Sequence, residues 1–447
     1  MPLPINANPP RIMHVDLNAC FARAEQQAWS LWRGKPVGVT PVAVPGGAVI
    51  SPSYELKSLG VKTGTRNRDA RLLAPDAILK RSDPALHREI HRRFVRVFRD
   101  FSPDVVPKSI DEAVIDFSGT PALERRTMEE LGTAVKERVR AEVGDWMRVN
   151  VGIGPNRFLA KLAAGLHKPD GLDRIDHANL RDVYARLTLL DLPGINVRYQ
   201  SRLNASGIYT PLEFLDADPH LLHREVFQSV VGQYWHRRLR GYEVDDAGHE
   251  RASYANSVQL ERPVASRRVL LQIVYKLTHK MAARMRSDGH SCRTVGLTLR
   301  LGDGGHFQAR RTLSAPASPT RELFRELSYL FDRQEMATAR VRDAEGRWRD
   351  EQTVKRSAVK AVVWCGGLEA VGAVQGRLFD DEQAKGRRLS DAEDAINARY
   401  GPYAIGSSLL LGLDDYVVDR IPFGSPRDLE ELYDEERAFP VPDGWAA

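Results

Sequence analysis

Two windows far apart in the chain constrain it more than anything else. The first, "IMHVDLNACFARAEQ", is an apolar strand that ends in a carboxylate, Asp16. The second, "KSIDEAVIDFSGT", sets two adjacent carboxylates, Asp111 and Glu112, just before another apolar strand. An acid at the tip of one strand and an acid pair at the turn into another can converge on one point. Three converging carboxylates suit hard divalent cations: Mg²⁺ takes oxygen ligands and is usually held by one or two carboxylates plus substrate phosphates. Two such ions ~3.5–4 Å apart can clamp the attacking and leaving oxygens of a phosphoryl transfer. Either window alone is an ordinary surface feature, and the pair carries the expectation.

The chain's 447 residues leave room for several domains. No apolar run approaches the ~20 residues of a membrane span, and the N-terminal stretch lacks the basic-then-apolar pattern of a secretory signal. Cys20, Cys292 and Cys365 lie far apart without metal-ligand spacing, which argues against a disulfide framework and fits a reducing cytoplasm. The net charge of +6 suits a polyanionic partner, and its distribution says more. Residues 251–320 hold 12 Lys/Arg against 3 Asp/Glu, whereas residues 366–447 hold 8 against 17. A basic block followed by an acidic tail suggests a polyanion-binding module and a segment kept off the polyanion.

Residues 11–32 read as strand, turn and a helix starting near Cys20. Helical periodicity covers 88–102, a helix is expected at 127–143, and "RVNVGIG" at 148–154 reads as a strand. This alternation, with a hairpin in the middle, predicts a split βαβ sheet of ferredoxin-like type. "GIGPNRFLAKLAAGLHKPDGL" then opens a helix carrying Lys161, and "TLLDLPGINVRYQSRLNASGIYT" reads as a helix-hairpin-helix whose turn offers backbone N–H groups to a phosphate. Residues 253–365 mix helix and alternating strand, with 335–357 expected to be a flexible polar insertion.

These motifs resemble those of Y-family translesion DNA polymerases, over roughly residues 11–420. The resemblance implies an α+β right-hand fold: a ferredoxin-like palm (1–32 and 88–175), small fingers (33–87), a helical thumb with the helix-hairpin-helix (176–241), an α/β little finger (253–365) and a C-terminal tail (366–447). It implies that Asp16, Asp111 and Glu112, with the Leu17 carbonyl, hold two Mg²⁺ ions for transfer of a nucleotide from a dNTP to a primer 3′-hydroxyl. Phe21 matches the steric gate that excludes ribonucleotides. Ser51, Tyr54, Lys57 and Lys161 match triphosphate contacts, with lysine at 57 where many relatives have arginine. Asn18 follows the UmuC form of the first motif, Arg66 stands where proline is frequent, and Asn196 departs from the usual "PGIG".

The partners implied are primer-template DNA, dNTPs and a sliding clamp, the last through Gln375, Leu378 and Phe379 in a Q-x-x-L-F peptide. UmuC-like traits, among them "DAINARYG" at 394–401, also admit accessory mutagenesis proteins. A cytoplasmic, nucleoid-associated enzyme is expected, with no membrane partner. Two rival readings are a catalytically inactive relative acting as a clamp adaptor, which would have lost carboxylates, and a nucleotide cyclase, which would need neither a basic little finger nor a clamp peptide.

Overall fold

The computed structural model describes residues 3–245, 251–342, 347–370, 381–400 and 404–413. They fall into two compact units, one ending and the other beginning near residue 248. Among the described residues no helix is long and apolar enough to cross a membrane.

In chain order the first unit begins with β1 (Ile12–Leu17), α1 (Cys20–Ala28), β2 (Val37–Thr40), β3 (Ser51–Pro52), α2 (Tyr54–Ser58), α3 (Asn67–Leu73), β4 (Ile78–Arg81) and α4 (Pro84–Arg99). It continues with β5 (Asp104–Pro107), β6 (Glu112–Asp116), α5 (Met128–Arg138), β7 (Val149–Gly154), α6 (Arg157–Leu166) and β8 (Leu172–Arg174). The palm sheet runs β5-β6-β1-β7-β8, with β1 antiparallel to both neighbours. This is the order a split βαβ unit requires, with the β5–β6 hairpin inserted beside β1. β2, β3 and β4 form a separate small sheet within the segment expected as fingers, and α4 already starts at Pro84, with Asp83 capping it through Ala85 N and Leu86 N.

α4 is amphipathic. Its inner face buries Leu86, Ile90, Phe94, Val97 and Phe98 against Met13, Val15, Ile115 and Val151 of the sheet. α6 lies against β7, and the glycines of "GIG" explain how closely. A Cβ on Gly152 would stand 2.0 Å from Ala160 O, and one on Gly154 2.5 Å from Ala160 N. Asn156 caps α6 through Leu159 N and ties its start to the carbonyls of Arg238 and Tyr242. The thumb follows as α7 (Leu180–Ala185), α8 (Val197–Ala205), α9 (Pro211–Asp216), α10 (Pro219–Leu221) and α11 (Val231–Leu239), around Tyr184, Phe214 and Trp235.

The second unit comprises β9 (Ser253–Ser266), α12 (Arg267–Ser287), β10 (His290–Leu301), β11 (His306–Ala317), α13 (Thr320–Phe331), β12 (Met336–Arg342), β13 (Trp348–Ala370) and α14 (Asp381–Tyr400). One sheet runs β11-β10-β13-β12, and β9 pairs with β13. Val295, Leu297, Leu299, Ala361 and Val363 bury one face of it under α12 and α13.

One expectation fails here. The described residues within 335–357 are not a flexible insertion: β12 pairs with β13 from Met336↔Val354 to Arg342↔Trp348. Their charges sit on exposed positions while the backbone is paired, and Arg340 and Arg342 stack over Trp348. The acidic tail is also partly folded. Arg286 forks onto Asp394 at 2.7 and 2.9 Å, His279 lies 3.3 Å from Glu393, and Gln272 Nε2 donates to the carbonyls of Leu409 and Leu411. Residues 394–400 of that tail thus contribute to a helix latched onto α12. The expected clamp peptide, Gln375, Leu378 and Phe379, lies outside the described residues.

Candidate active site

The β1–β6 register sets Asp16 directly opposite Glu112, and Leu17 N donates to Asp111 O at 2.7 Å. Strand pairing alone thus brings the three expected carboxylates to one end of the sheet. Each is already engaged. Lys168 Nζ donates to Asp16 Oδ2 at 2.7 Å. Lys161 Nζ spans both Glu112 oxygens at 3.0 and 2.8 Å, and His14 Nε2 lies 3.1 Å from Glu112 Oε2. Ser109 Oγ donates to Asp111 Oδ1 at 2.5 Å.

The environments separate the acids. Burial pushes the Asp111 carboxyl up, against the Ser109 hydrogen bond, and the charges of Asp16 and Glu112 add to it. Burial acts upward on Glu112 too, but His14 and Lys161 outweigh it and hold that carboxyl at about 2. Cys20 sits in the same field: burial raises its thiol, and Asp111 and Asp16 raise it further.

Among the described residues no three His, Cys, Asp or Glu side chains close on one point as they stand. The donor chemistry nevertheless fits a hard cation. Three carboxylates share one electrostatic neighbourhood, and two lysine ammonium groups supply the positive charge that a metal would supply.

The other expected residues line the same region. Ser53 caps α2 through Leu56 N, which starts that helix at Tyr54. Lys57 Nζ stands 4.2 Å from the Tyr54 ring centroid, and burial with the charge of Lys168 lowers its pKa. Burial, then the Asp16 charge, raise the Tyr54 phenol. Ser51 is less open than a phosphate contact suggests: it is buried, and its Oγ accepts from Ala22 N at 3.3 Å. Phe21 is also nearly covered, with its ring face on His87 of α4.

Sequence reasoning missed four contributors. His14 is a buried partner of Glu112 and looks like one more residue of an apolar strand. Arg23 reaches over both Tyr54 and Trp146. His91, one turn after His87 on α4, donates from Nδ1 to Ile110 O at 2.9 Å and so braces the turn that carries the acid pair.

Lys168, the fourth, comes from the "HKPDG" loop. Asn18 holds that loop by accepting from Asp170 N at 2.8 Å, while Lys136 and Arg140 grip the Asp170 carboxylate. Asp170 has φ 63°, and a Cβ on Gly171 would stand 2.2 Å from His167 O, so the following glycine is what lets the loop turn here.

The expected helix-hairpin-helix also differs. Asn196 caps α8, and its Oδ1 takes the amides of Arg198 and Tyr199 at 3.0 Å each. Two donors at the turn that were expected to face a DNA phosphate are filled by the chain's own side chain.

In the second unit the register puts Arg300, Arg310 and Lys360 on the sheet face opposite α12, with His306, Gln308 and Gln259. Arg267 and Arg293 of this unit pair with Asp332 and Glu369.

The impB/mucB/samB family model matches residues 15–165, and the model of that family's C-terminal domain matches 251–348. A protein named DNA polymerase IV from Pelotomaculum thermopropionicum is 31% identical over 400 residues, covering 88% of this chain and 94% of that protein. One of the same name from Moorella thermoacetica is 30% identical over 406 residues, covering 90% and 96%. Among solved structures, a Y-family DNA polymerase chimera aligns with TM-score 0.63 at 21% identity, over 80% of this chain and 98% of that one. An insertion ternary complex of Dbh DNA polymerase aligns with TM-score 0.54 at 20% identity, over 79% and 98%. The two structures speak for the fold and the two sequence relatives for kinship: the chain belongs to the impB/mucB/samB family of Y-family translesion DNA polymerases.

Proposed function

We propose that the chain performs error-prone, template-directed DNA synthesis during damage tolerance, with Asp16, Asp111, Glu112 and the Leu17 carbonyl as the ligands of two Mg²⁺ ions. The observation that carries this reading is the direct opposition of Asp16 and Glu112 across β1–β6, with Asp111 tied to Leu17 beside them. Bound there, the ions would lower the pKa of the primer 3′-hydroxyl and stabilise the pyrophosphate leaving group.

The chain's own residues do the positioning. Lys57, Lys161 and Lys168 are cations within reach of the acids and can turn to a triphosphate. Tyr54 and Ser51 complete the nucleotide-binding set, and the Phe21 ring selects a deoxyribose by leaving no room for a 2′-hydroxyl. Primer-template DNA and dNTPs are the substrates, a reading supported by the fold shared with the insertion ternary complex of Dbh DNA polymerase. A sliding clamp would dock on Gln375, Leu378 and Phe379, the last two filling an apolar pocket. The inactive-adaptor reading has nothing in its favour, since all three carboxylates are present and braced from behind.

The test is primer extension by Asp111→Ala and Glu112→Ala. Both variants should lose extension while still binding DNA, because most binding comes from phosphate contacts elsewhere. Near wild-type extension by either one would refute the metal-site assignment.

A further inference from the structure

Only 2% of the Phe21 surface is open, so the position of its ring is decided by what packs against it. Its face lies on the imidazole of His87, with centroids 4.3 Å apart and planes 25° from parallel. His87 has no exposed surface and comes from the first turn of α4. One turn beyond Phe21 on α1, Glu25 is buried as well, and its Oε1 lies 3.7 Å from His87 Nε2. That is beyond hydrogen-bond reach. Burial, with Arg88 nearby, lowers His87 to about 3, and burial raises Glu25 to about 7. The imidazole under the ring is therefore neutral.

Polar groups layered beneath an aromatic ring cost stability that an aliphatic side chain would not. What the imidazole offers, and a leucine cannot, is a flat face close to parallel with the ring above it.

We propose that His87 is a positioning residue for sugar selection: its flat face sets the height of the Phe21 ring and so the clearance in which a 2′-hydroxyl is refused. The proposal rests on the reading of Phe21 as the gate. Backed at 4.3 Å, the ring cannot sink. With a small residue behind it, the ring drops into the space left. With an aliphatic residue of similar volume it loses its flat support and tilts. A gate works on the scale of one hydroxyl group, where a displacement of ~1 Å changes rates by orders of magnitude.

The experiment is single-nucleotide incorporation by the full chain, with dNTP and rNTP compared for Phe21→Ala, His87→Ala, His87→Leu and His87→Phe. Phe21→Ala should relax discrimination. His87→Ala and His87→Leu should each lower the dNTP-to-rNTP ratio of kcat/KM by on the order of tenfold or more, through a gain for the ribonucleotide. His87→Phe restores a flat face and should keep the ratio near wild type. The Phe21→Ala/His87→Ala double variant should relax no further than Phe21→Ala alone.

A merely structural role would depress both substrates together and leave the ratio in place. If Phe21→Ala relaxes the ratio but His87→Leu does not, the inference is overturned and the gate reading stands. If Phe21→Ala leaves the ratio unchanged, the gate reading falls and this inference with it. Should His87→Ala fail to fold, His87→Leu carries the same comparison at similar volume.

Discussion

The palm and the little finger handle charge in opposite ways. In the palm, three carboxylates share the end of one sheet, each against a named partner, and two of those partners are lysines. In the little finger, Arg300, Arg310 and Lys360 are spread over an open sheet face. The first arrangement concentrates a field in one small region, so losing one group changes the chemistry. The second spreads a field over an area, so losing one group lowers a sum.

The largest expected effect tests the concentrated side. Asp111→Ala or Glu112→Ala should cut single-nucleotide incorporation by on the order of 10³-fold or more, as removal of electrostatic stabilisation at a reacting centre does. Arg300→Ala should change it by less than about threefold at saturating DNA, because phosphate contacts position the duplex without entering the chemistry. Comparable losses from the two kinds of variant would break the contrast.

An intermediate effect concerns pH and the buried groups under the Phe21 ring. Glu25 titrates at about 7 in the folded chain, against its ordinary 4.5, chiefly through burial; Lys80 opposes the shift, and the Asp83 charge adds to it while its backbone opposes it. Between those two values the folded chain binds the extra proton, so stability should fall as pH rises from about 4.5 to about 7. Glu25→Gln should remove that loss and exceed the wild type at pH ~8 by ~1–3 kcal/mol in denaturant titration, while at pH ~4 the two should converge. His87 facing it works the other way: its folded value near 3 costs stability below its usual 6.5, and the variant should keep that acid arm. An unchanged difference across the pH range would mean that Glu25 is not held neutral.

Smaller effects sharpen the distributed side. Arg300→Ala, Arg310→Ala and Lys360→Ala together should flatten the plot of log K against log salt, by roughly one unit for each phosphate no longer neutralised. An unchanged slope would exclude this face as the electrostatic grip. The smallest effect on the bare enzyme belongs to Leu378→Ala with Phe379→Ala. Clamp-free extension should be intact, while clamp stimulation and clamp binding in a calorimetric titration should vanish. Wild-type clamp affinity in that variant would place docking elsewhere.

Both acid windows were legible because alternating apolar residues announce β1 and β6, and an acid at a strand end has few places to go. The supporting cast was not. His14 occupies a buried strand position that reads as plain core. Lys168 owes its place to the tie between Asn18 and Asp170, which join distant parts of the chain. His87 and His91 appear in sequence only as polar breaks in the apolar stripe of α4. β12 was hidden because its charges lie outward along a paired backbone, and polarity alone suggested a loop. α14 was hidden because charge pairs such as Arg286–Asp394 fasten it, rather than a clear apolar stripe.

The tie at Asn18 has a consequence for inheritance. Its Nδ2 donates to Asn150 Oδ1 at 2.8 Å while its Oδ1 accepts from Asp170 N, and Asn150 Nδ2 goes on to His167 O at 3.0 Å. An aspartate at 18 could still accept from Asp170, but it would turn an acceptor toward Asn150 Oδ1. Rotating the Asn150 amide to meet it would aim an oxygen at His167 O instead. One buried acceptor is left facing another either way, at ~1–3 kcal/mol. The letters at 18 and 150 are therefore not independent. A lineage could exchange the amide at 18 for an acid without loss only after the residue at 150 had changed, so the order of mutations, and not just their sum, decides which sequences can be reached.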